Sequence, residues 1–305
     1  MTDTPAVVFD RVTRRYGALT AVEALSLTVN RGEMFGLIGP DGAGKTTSIR
    51  LMCGLLHPDA GSIRVSGLDP VRQHRQITAR LGYLSQRFSL YGDLSVDENV
   101  AFFAQIHGMR DYAGRRDRLL EMTQLARFRY RLAEQLSGGM KQKLALTCTL
   151  VHEPEIIVLD EPTTGVDPVS RREFWKLLSQ FLASGITIIM STPYLDEAER
   201  CSRVALLDRG RLLALDTPAA LRESLPGALF EIVTGNGRAA LSALSSRGFH
   251  AQLFGDRLHV WTRPASAQDE ASLARAVAAL PDAQMRAIRP SLEDVYIARL
   301  QETHS

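Results

Sequence analysis

The stretch Gly39-Pro40-Asp41-Gly42-Ala43-Gly44-Lys45-Thr46-Thr47 decides how the rest of the chain is read. It fits G-x-x-x-x-G-K-[ST], the loop that joins a strand to a helix and cradles phosphate. The residues before it, Met34-Phe35-Gly36-Leu37-Ile38, are apolar and short enough for a buried strand. The residues after it, Ser48 to Leu56, carry apolar side chains three and four apart, as a helix requires. Glycines at 39, 42 and 44 let the backbone turn tightly and bring its N–H groups up to an anion, and the helix adds its positive N-terminal end. Lys45 is expected to reach the outer phosphates and the Thr46 hydroxyl to ligate Mg²⁺. Pro40, Asp41, Ala43 and Thr47 complete the expected nucleotide cradle.

Working outward, 305 residues allow one large domain and a small one. Basic and acidic side chains nearly cancel, 36 against 34, so the net charge marks neither nucleic acid nor a membrane surface as a partner. Cys53, Cys148 and Cys201 lack metal-type spacing and sit in apolar segments, which predicts reduced core thiols and a reducing compartment. Met1 to Asp10 has no basic n-region or apolar h-region, and no run of some eighteen apolar residues occurs, so neither a secretion signal nor a membrane span is expected.

Strands are predicted at Val7 to Tyr16 and Ala24 to Val29 before the loop, and at Ser62 to Val65 and Leu81 to Gln86 after it. Helices follow at Ser95 to Gly108 and Arg115 to Ala126, and a third opens near Gly138 and runs to Val151; together they make a helical insertion over about 87–150. Glu155 to Glu161 reads as a strand, Pro168 to Ala183 as a helix, Ile186 to Ser191 as a strand, and Val204 to Ala214 as a hairpin turning at Arg209-Gly210. Past Pro226-Gly227 the order becomes β-α-β-β-α-β with a final helix from Ser291, similar to a split βαβ, ferredoxin-like arrangement. The expected domains are 1–227 and 228–305, the second an accessory α+β domain.

Asp160 and Glu161 end an apolar strand, which places both at the sheet edge where parallel α/β folds bind ligands. Asp160 is positioned to hold Mg²⁺ through water, and Glu161 to orient or deprotonate an attacking water.

Leu136-Ser137-Gly138-Gly139-Met140-Lys141-Gln142 resembles the LSGGQ signature of ATP-binding cassette proteins, with Met140 in place of Gln. The order of the phosphate loop, Gln86, this signature, Asp160-Glu161 and Gly165-Val166-Asp167 is similar to the cassette pattern over about residues 6–225. The resemblance implies an α/β cassette: a RecA-like P-loop core, an antiparallel β subdomain and a helical subdomain. It further implies that Tyr16 stacks on adenine, that Gln86 touches Mg²⁺, and that Ser137, Gly138 and Gly139 close on nucleotide held by a second cassette. Asp167 would lie between the two cassettes. The stretch Arg87 to Val100, with Phe88, Leu90 and Tyr91, would receive a helix from a transmembrane permease. The wording of the loop, of Gly139-Met140-Lys141-Gln142-Lys143 and of Ser291 to Tyr296 resembles ABC-2-type exporter ATPases, nearest to the YbhF-like multidrug branch. The chain would then lie on the inner face of the cell membrane through permease subunits.

Two positions depart from the pattern. Pro193 stands where the family usually has His, and Asp41 where it usually has Asn. Proline offers neither a side-chain donor nor a backbone N–H. This chain's own site is therefore expected to turn over poorly while its signature serves a partner's site, which favours a heterodimer over a homodimer. His107 and His152 are expected to be surface or loop residues. Two other readings stay open: a nucleotide-binding scaffold with little turnover, supported by Pro193, and a soluble non-transport ATPase, disfavoured by the single cassette and the lack of a heptad run or basic arm.

Overall fold

The computed structural model describes residues 4–86, 90–262 and 267–304. Phe88, one of the residues expected to face a permease, lies outside them. Two compact units divide at Pro218/Ala219.

In the first unit a six-stranded sheet runs in the order Leu81–Leu84, Ile156–Asp160, Thr187–Thr192, Met34–Ile38, Arg203–Asp208, Arg211–Asp216. The first five strands are parallel and the last turns back as a hairpin. Met34–Ile38, Ile156–Asp160 and Thr187–Thr192 are buried at every position, as strands covered on both faces must be. A three-stranded antiparallel sheet, ordered Leu19–Val29, Val7–Tyr16, Ala60–Val65, shares their core: Phe9, Leu25 and Ile63 pack in one cluster with Phe35, Leu37 and Ile189.

The helical insertion holds Val96–Ile106, Ala113–Met122 and Gly138–Leu150. Ser95 caps the first with a reciprocal capping box to Glu98. Two helices stop short of their apolar periodicity, and in both a left-handed residue ends them. The phosphate-loop helix spans only Lys45–Met52 because Gly54, at φ 70°, donates to the Leu51 carbonyl while Leu55 donates to Arg50. Ala113–Met122 ends likewise at Gln124, at φ 60°.

The second unit has a four-stranded antiparallel sheet ordered His250–Phe254, Arg257–Thr262, Ala228–Val233, Gln284–Ile288. Phe230, Ile232, Leu258 and Val260 pack there with Leu244 and Leu273 of its helices. The helix Leu292–His304 closes the chain, and Ser291 and Asp294 bond reciprocally at its start. No helix among the described residues is long and apolar enough to cross a membrane.

Candidate functional site

Parallel register brings the site together. Ile38 pairs with Thr192, Asp160 with Ser191, and Leu84 with Leu159, so three crossovers deliver the phosphate loop, the carboxylates and Gln86 to one sheet edge. A cavity of about 620 Å³ opens there, within the range for small-molecule sites. Its walls include Tyr16, the loop from Asp41 to Thr47, Gln86 and Glu161.

The loop's shape depends on glycine. Gly42 and Gly44 have φ of 81° and 99°. A side chain at Gly39 would run into the Leu207 carbonyl, so the backbone there has no alternative to glycine. Lys45, 4% exposed, donates to the Gly39 carbonyl at 2.8 Å and the Pro40 carbonyl at 3.0 Å. Its third partner is Glu161 Oε1 at 3.2 Å. The Gln86 Nε2 donates to Glu161 Oε2 at 3.0 Å, fixing the carboxylate plane.

Glu161 has a left-handed backbone, φ 48°, which costs a residue with a long side chain about 1–2 kcal/mol. Its N–H is held by Ser191 Oγ at 3.0 Å. The same hydroxyl donates to Asp160 Oδ1 at 2.6 Å, and Thr46 Oγ1 donates to that oxygen at 3.1 Å. Ser191 thus ties the two carboxylates together; nothing in its sequence context marks that role, because the pairing comes from strand register. Asp160, 1% exposed, also acts on its neighbours: burial first and then its charge push the half-buried Tyr83 phenol up to about 12 and raise the pKa of the buried Cys53 thiol. Cys53 is free and buried, as are Cys148 and Cys201.

Hard oxygens of Thr46 and Asp160 so close together, with the Gln86 side chain nearby, are a donor set that suits Mg²⁺. The cradle of backbone N–H groups around a buried lysine suits a polyphosphate. Tyr16 is 43% exposed, and the Arg14 guanidinium lies 5.2 Å from its ring centre. Asp41, which also lines the cavity, is exposed.

Other expected site residues lie elsewhere. Ser137, Gly138 and Gly139 do not line this cavity. Ser137 caps the helix Gly138–Leu150, accepting from Met140 N at 3.3 Å. A side chain at Gly139 would strike Ser170, so the starts of Gly138–Leu150 and Pro168–Ala183 meet there. Asp167 caps the second of these, accepting from Val169 N and Ser170 N at 3.0 Å each. Hydrogen bonding from the Ser170 side chain first, then from the Ser170 backbone N–H, holds the Asp167 carboxyl below the usual range.

Pro193 follows the strand Thr187–Thr192, half-buried, and no histidine lines the cavity among the described residues. Glu197 anchors the segment around Pro193: it is 1% exposed and accepts from Thr163 Oγ1 at 2.5 Å and Thr192 Oγ1 at 2.7 Å. His107 and His152, expected in surface or loop positions, lie exposed at a helix end and half-buried in a turn, and they also stack face to face with ring centres 3.7 Å apart. Burial, then the charge of His107, pushes His152 down to about 4. The chain brings them together because His107 ends the helix Val96–Ile106 and His152 closely follows Gly138–Leu150, a neighbourhood invisible in local sequence.

This fold and cavity define a P-loop nucleotide-binding cassette. The profile of the ABC transporter family matches residues 22–164. Over 308 residues the chain is 37% identical to the daunorubicin resistance ATP-binding protein DrrA3 of Streptomyces coeruleorubidus, covering 97% of this chain and 96% of that one. It is 40% identical over 254 residues to the Nod factor export ATP-binding protein I of Burkholderia orbicola, 82% and 84% of the two chains. It is 49% identical over 212 residues to the probable multidrug ABC transporter ATP-binding protein YbhF of Escherichia coli, which is 69% of this chain; the chain spans only 37% of YbhF's length. A solved ATP-binding subunit of an ABC transporter superposes with a TM-score of 0.66 at 30% identity, over 72% of this chain and 92% of that one. The cbiO1 structure from Clostridium perfringens gives 0.67 at 26% identity, over 72% and 91%. The chain belongs to the ABC transporter family.

Proposed function

We propose that this chain is the ATP-binding and ATP-hydrolysing subunit of an ABC-2-type exporter. The observation that carries the reading is the convergence of Lys45, Thr46, Asp160, Glu161 and Gln86 on one edge of the sheet. The export named in a relative that aligns along 82% of this chain supports the transport half of it.

Adenine stacks on Tyr16 and the phosphates lie along Gly39 to Thr47, replacing Glu161 as the third partner of Lys45. Thr46, Asp160 and Gln86 would hold Mg²⁺, which neutralises charge on the outer phosphates. Glu161 Oε1, freed from Lys45, takes a proton from water as the water oxygen bonds to the terminal phosphorus and ADP leaves. Gln86 keeps the other carboxylate oxygen fixed. Ser137, Gly138 and Gly139 are offered to nucleotide on a second cassette, with Asp167 at the junction. Permease subunits hold the pair at the inner face of the membrane, with Tyr91, 43% exposed, among their contacts.

Pro193 supplies no donor to the terminal phosphate, so this chain's own site turns over slowly and the partner cassette is a different chain. A second reading, a scaffold that binds ATP without turnover, rests on the same residue. Steady-state ATPase of the chain, alone and with co-purified membrane partners, tests both. Turnover that depends on Glu161 supports the enzyme; Mg-ATP binding with no turnover in any complex supports the scaffold. No binding of Mg-ATP sinks both.

A further inference from the structure

The hairpin Arg203–Asp208/Arg211–Asp216 has no part in the reaction described above, yet its turn reaches the cavity. Arg209 lines it, as do Asp41 and Gly44. The turn is stitched to the phosphate loop: Gly210 N donates to the Ala43 carbonyl at 3.1 Å, and the Gly210 carbonyl accepts from Glu23 N at 2.8 Å. A side chain at Gly44 would come within 3.3 Å of Gly210 Cα. Arg209 is therefore held at a fixed place relative to the loop.

Its residue type goes against the turn. Arg209 and Gly210 have φ of 44° and 81°, positive at both central positions of a two-residue hairpin. Such turns favour Asn or Asp followed by Gly. A strained position that keeps an unfavourable side chain at a cavity wall points to use of that side chain. Electrostatics gives the use. Among the described lining residues Lys45 and Arg209 are the cations, Asp41 and Glu161 the anions. Lys45 is matched by Glu161 at 3.2 Å. The remaining carboxylate, Asp41, opposes an incoming polyphosphate, and Arg209 offsets it. Arg209 also pairs with Asp208 at 3.8 Å, and its side chain is 78% exposed.

We infer that Arg209 is a positioning residue for the nucleotide, a second cation that grips the phosphate chain and compensates for Asp41. The inference rests on the nucleotide reading of the site. It is tested with the full chain by calorimetric titration of Mg-ATP, Mg-ADP and adenosine. Arg209→Asn suits the turn, so the fold survives, and its thermal midpoint without nucleotide should equal or exceed wild type. The expected result is a loss of about fivefold to tenfold in affinity for ATP and ADP, the size of one partly exposed charge-assisted contact. Adenosine affinity should not change, Arg209→Lys should retain part of the ATP affinity, and Asp41→Asn in the Arg209→Asn background should restore part of it. Equal ATP affinity for wild type and Arg209→Asn overturns the inference, as does a parallel loss of adenosine affinity. Lys45→Ala separates the two levels. If it abolishes ATP binding while Arg209→Asn has no effect, only the role of Arg209 fails; if it binds ATP like wild type, the nucleotide reading itself fails.

Discussion

Lys45 Nζ lies 3.2 Å from Glu161 Oε1, and both side chains are almost wholly sealed from solvent. A buried pair of this kind holds each partner in place at the cost of desolvating both. On the proposed function, the terminal phosphate would compete with Glu161 for the same ammonium group, so that binding would release the carboxylate at the moment its basicity is needed.

Glu161→Gln removes both the competitor and the base. Turnover should fall by about 10²–10⁴, the usual contribution of a general base, while affinity for Mg-ATP holds or rises. Phosphate release and nucleotide titration measure the two separately. An unchanged rate would assign water activation to another group.

Lys45→Ala should weaken Mg-ATP binding by about a hundredfold or more, since it strips the charge facing the phosphates. It also leaves Glu161 buried without its cation, at a cost of about 3 kcal/mol. Adding Glu161→Gln to Lys45→Ala should recover part of that stability in urea unfolding without recovering binding. A double variant no more stable than Lys45→Ala would mean the pair contributes nothing to the fold.

Pro193→His restores a donor after the strand Thr187–Thr192, in a segment that Glu197 already anchors through Thr163 and Thr192. One such donor stabilising developing charge is worth about 10²–10³ in rate. We expect at least a tenfold rise in turnover at this chain's own site, measured in the complex with the partner's catalytic carboxylate removed. Equal rates for the two forms would make Pro193 a neutral replacement and remove the ground for a heterodimer.

His152, pushed down to about 4, gives stability a pH dependence of known sign. The unfolded chain, with a histidine pKa of about 6.5, binds a proton that the folded chain refuses, so the contribution is full above about pH 6.5 and is lost as pH falls toward 4. At about 1.4 kcal/mol per pKa unit the loss is on the order of 3 kcal/mol. His107, also lowered by burial, acts in the same direction. Urea midpoints from pH 7 to 4.5 should fall more steeply for wild type than for His152→Phe. Parallel curves would show that the stacked pair does not couple folding to pH.

Local sequence carried much of this site. The phosphate loop, the apolar strands ending at Ile38 and Asp160, the helix Pro168–Ala183 and the hairpin turn at Gly210 all stand where local sequence places them. What local sequence could not carry depends on residues far apart in the chain. Ser191 bridges Asp160 and Glu161 through strand register; His107 meets His152 across two helices; Arg209 reaches the cavity because its hairpin lies against the loop. Gln124 ends a helix in a left-handed conformation that its side chain does not advertise, so that helix reads too long. Gly54 offered the signal for the other early stop, and the apolar periodicity running past it concealed the boundary.

The strand Met34–Ile38 has both its neighbours, Thr187–Thr192 and Arg203–Asp208, in the last part of the first unit. On a ribosome adding about 5–20 residues per second, that strand waits roughly 7–30 s with neither edge paired. The phosphate loop it carries has no fixed shape to offer during that wait, because the Leu207 and Gly210 backbone against which it is built has not yet been made. Acquisition of nucleotide therefore reports that synthesis has passed the hairpin. A chain truncated before it presents a bare apolar strand to chaperones and proteases in place of a half-working enzyme.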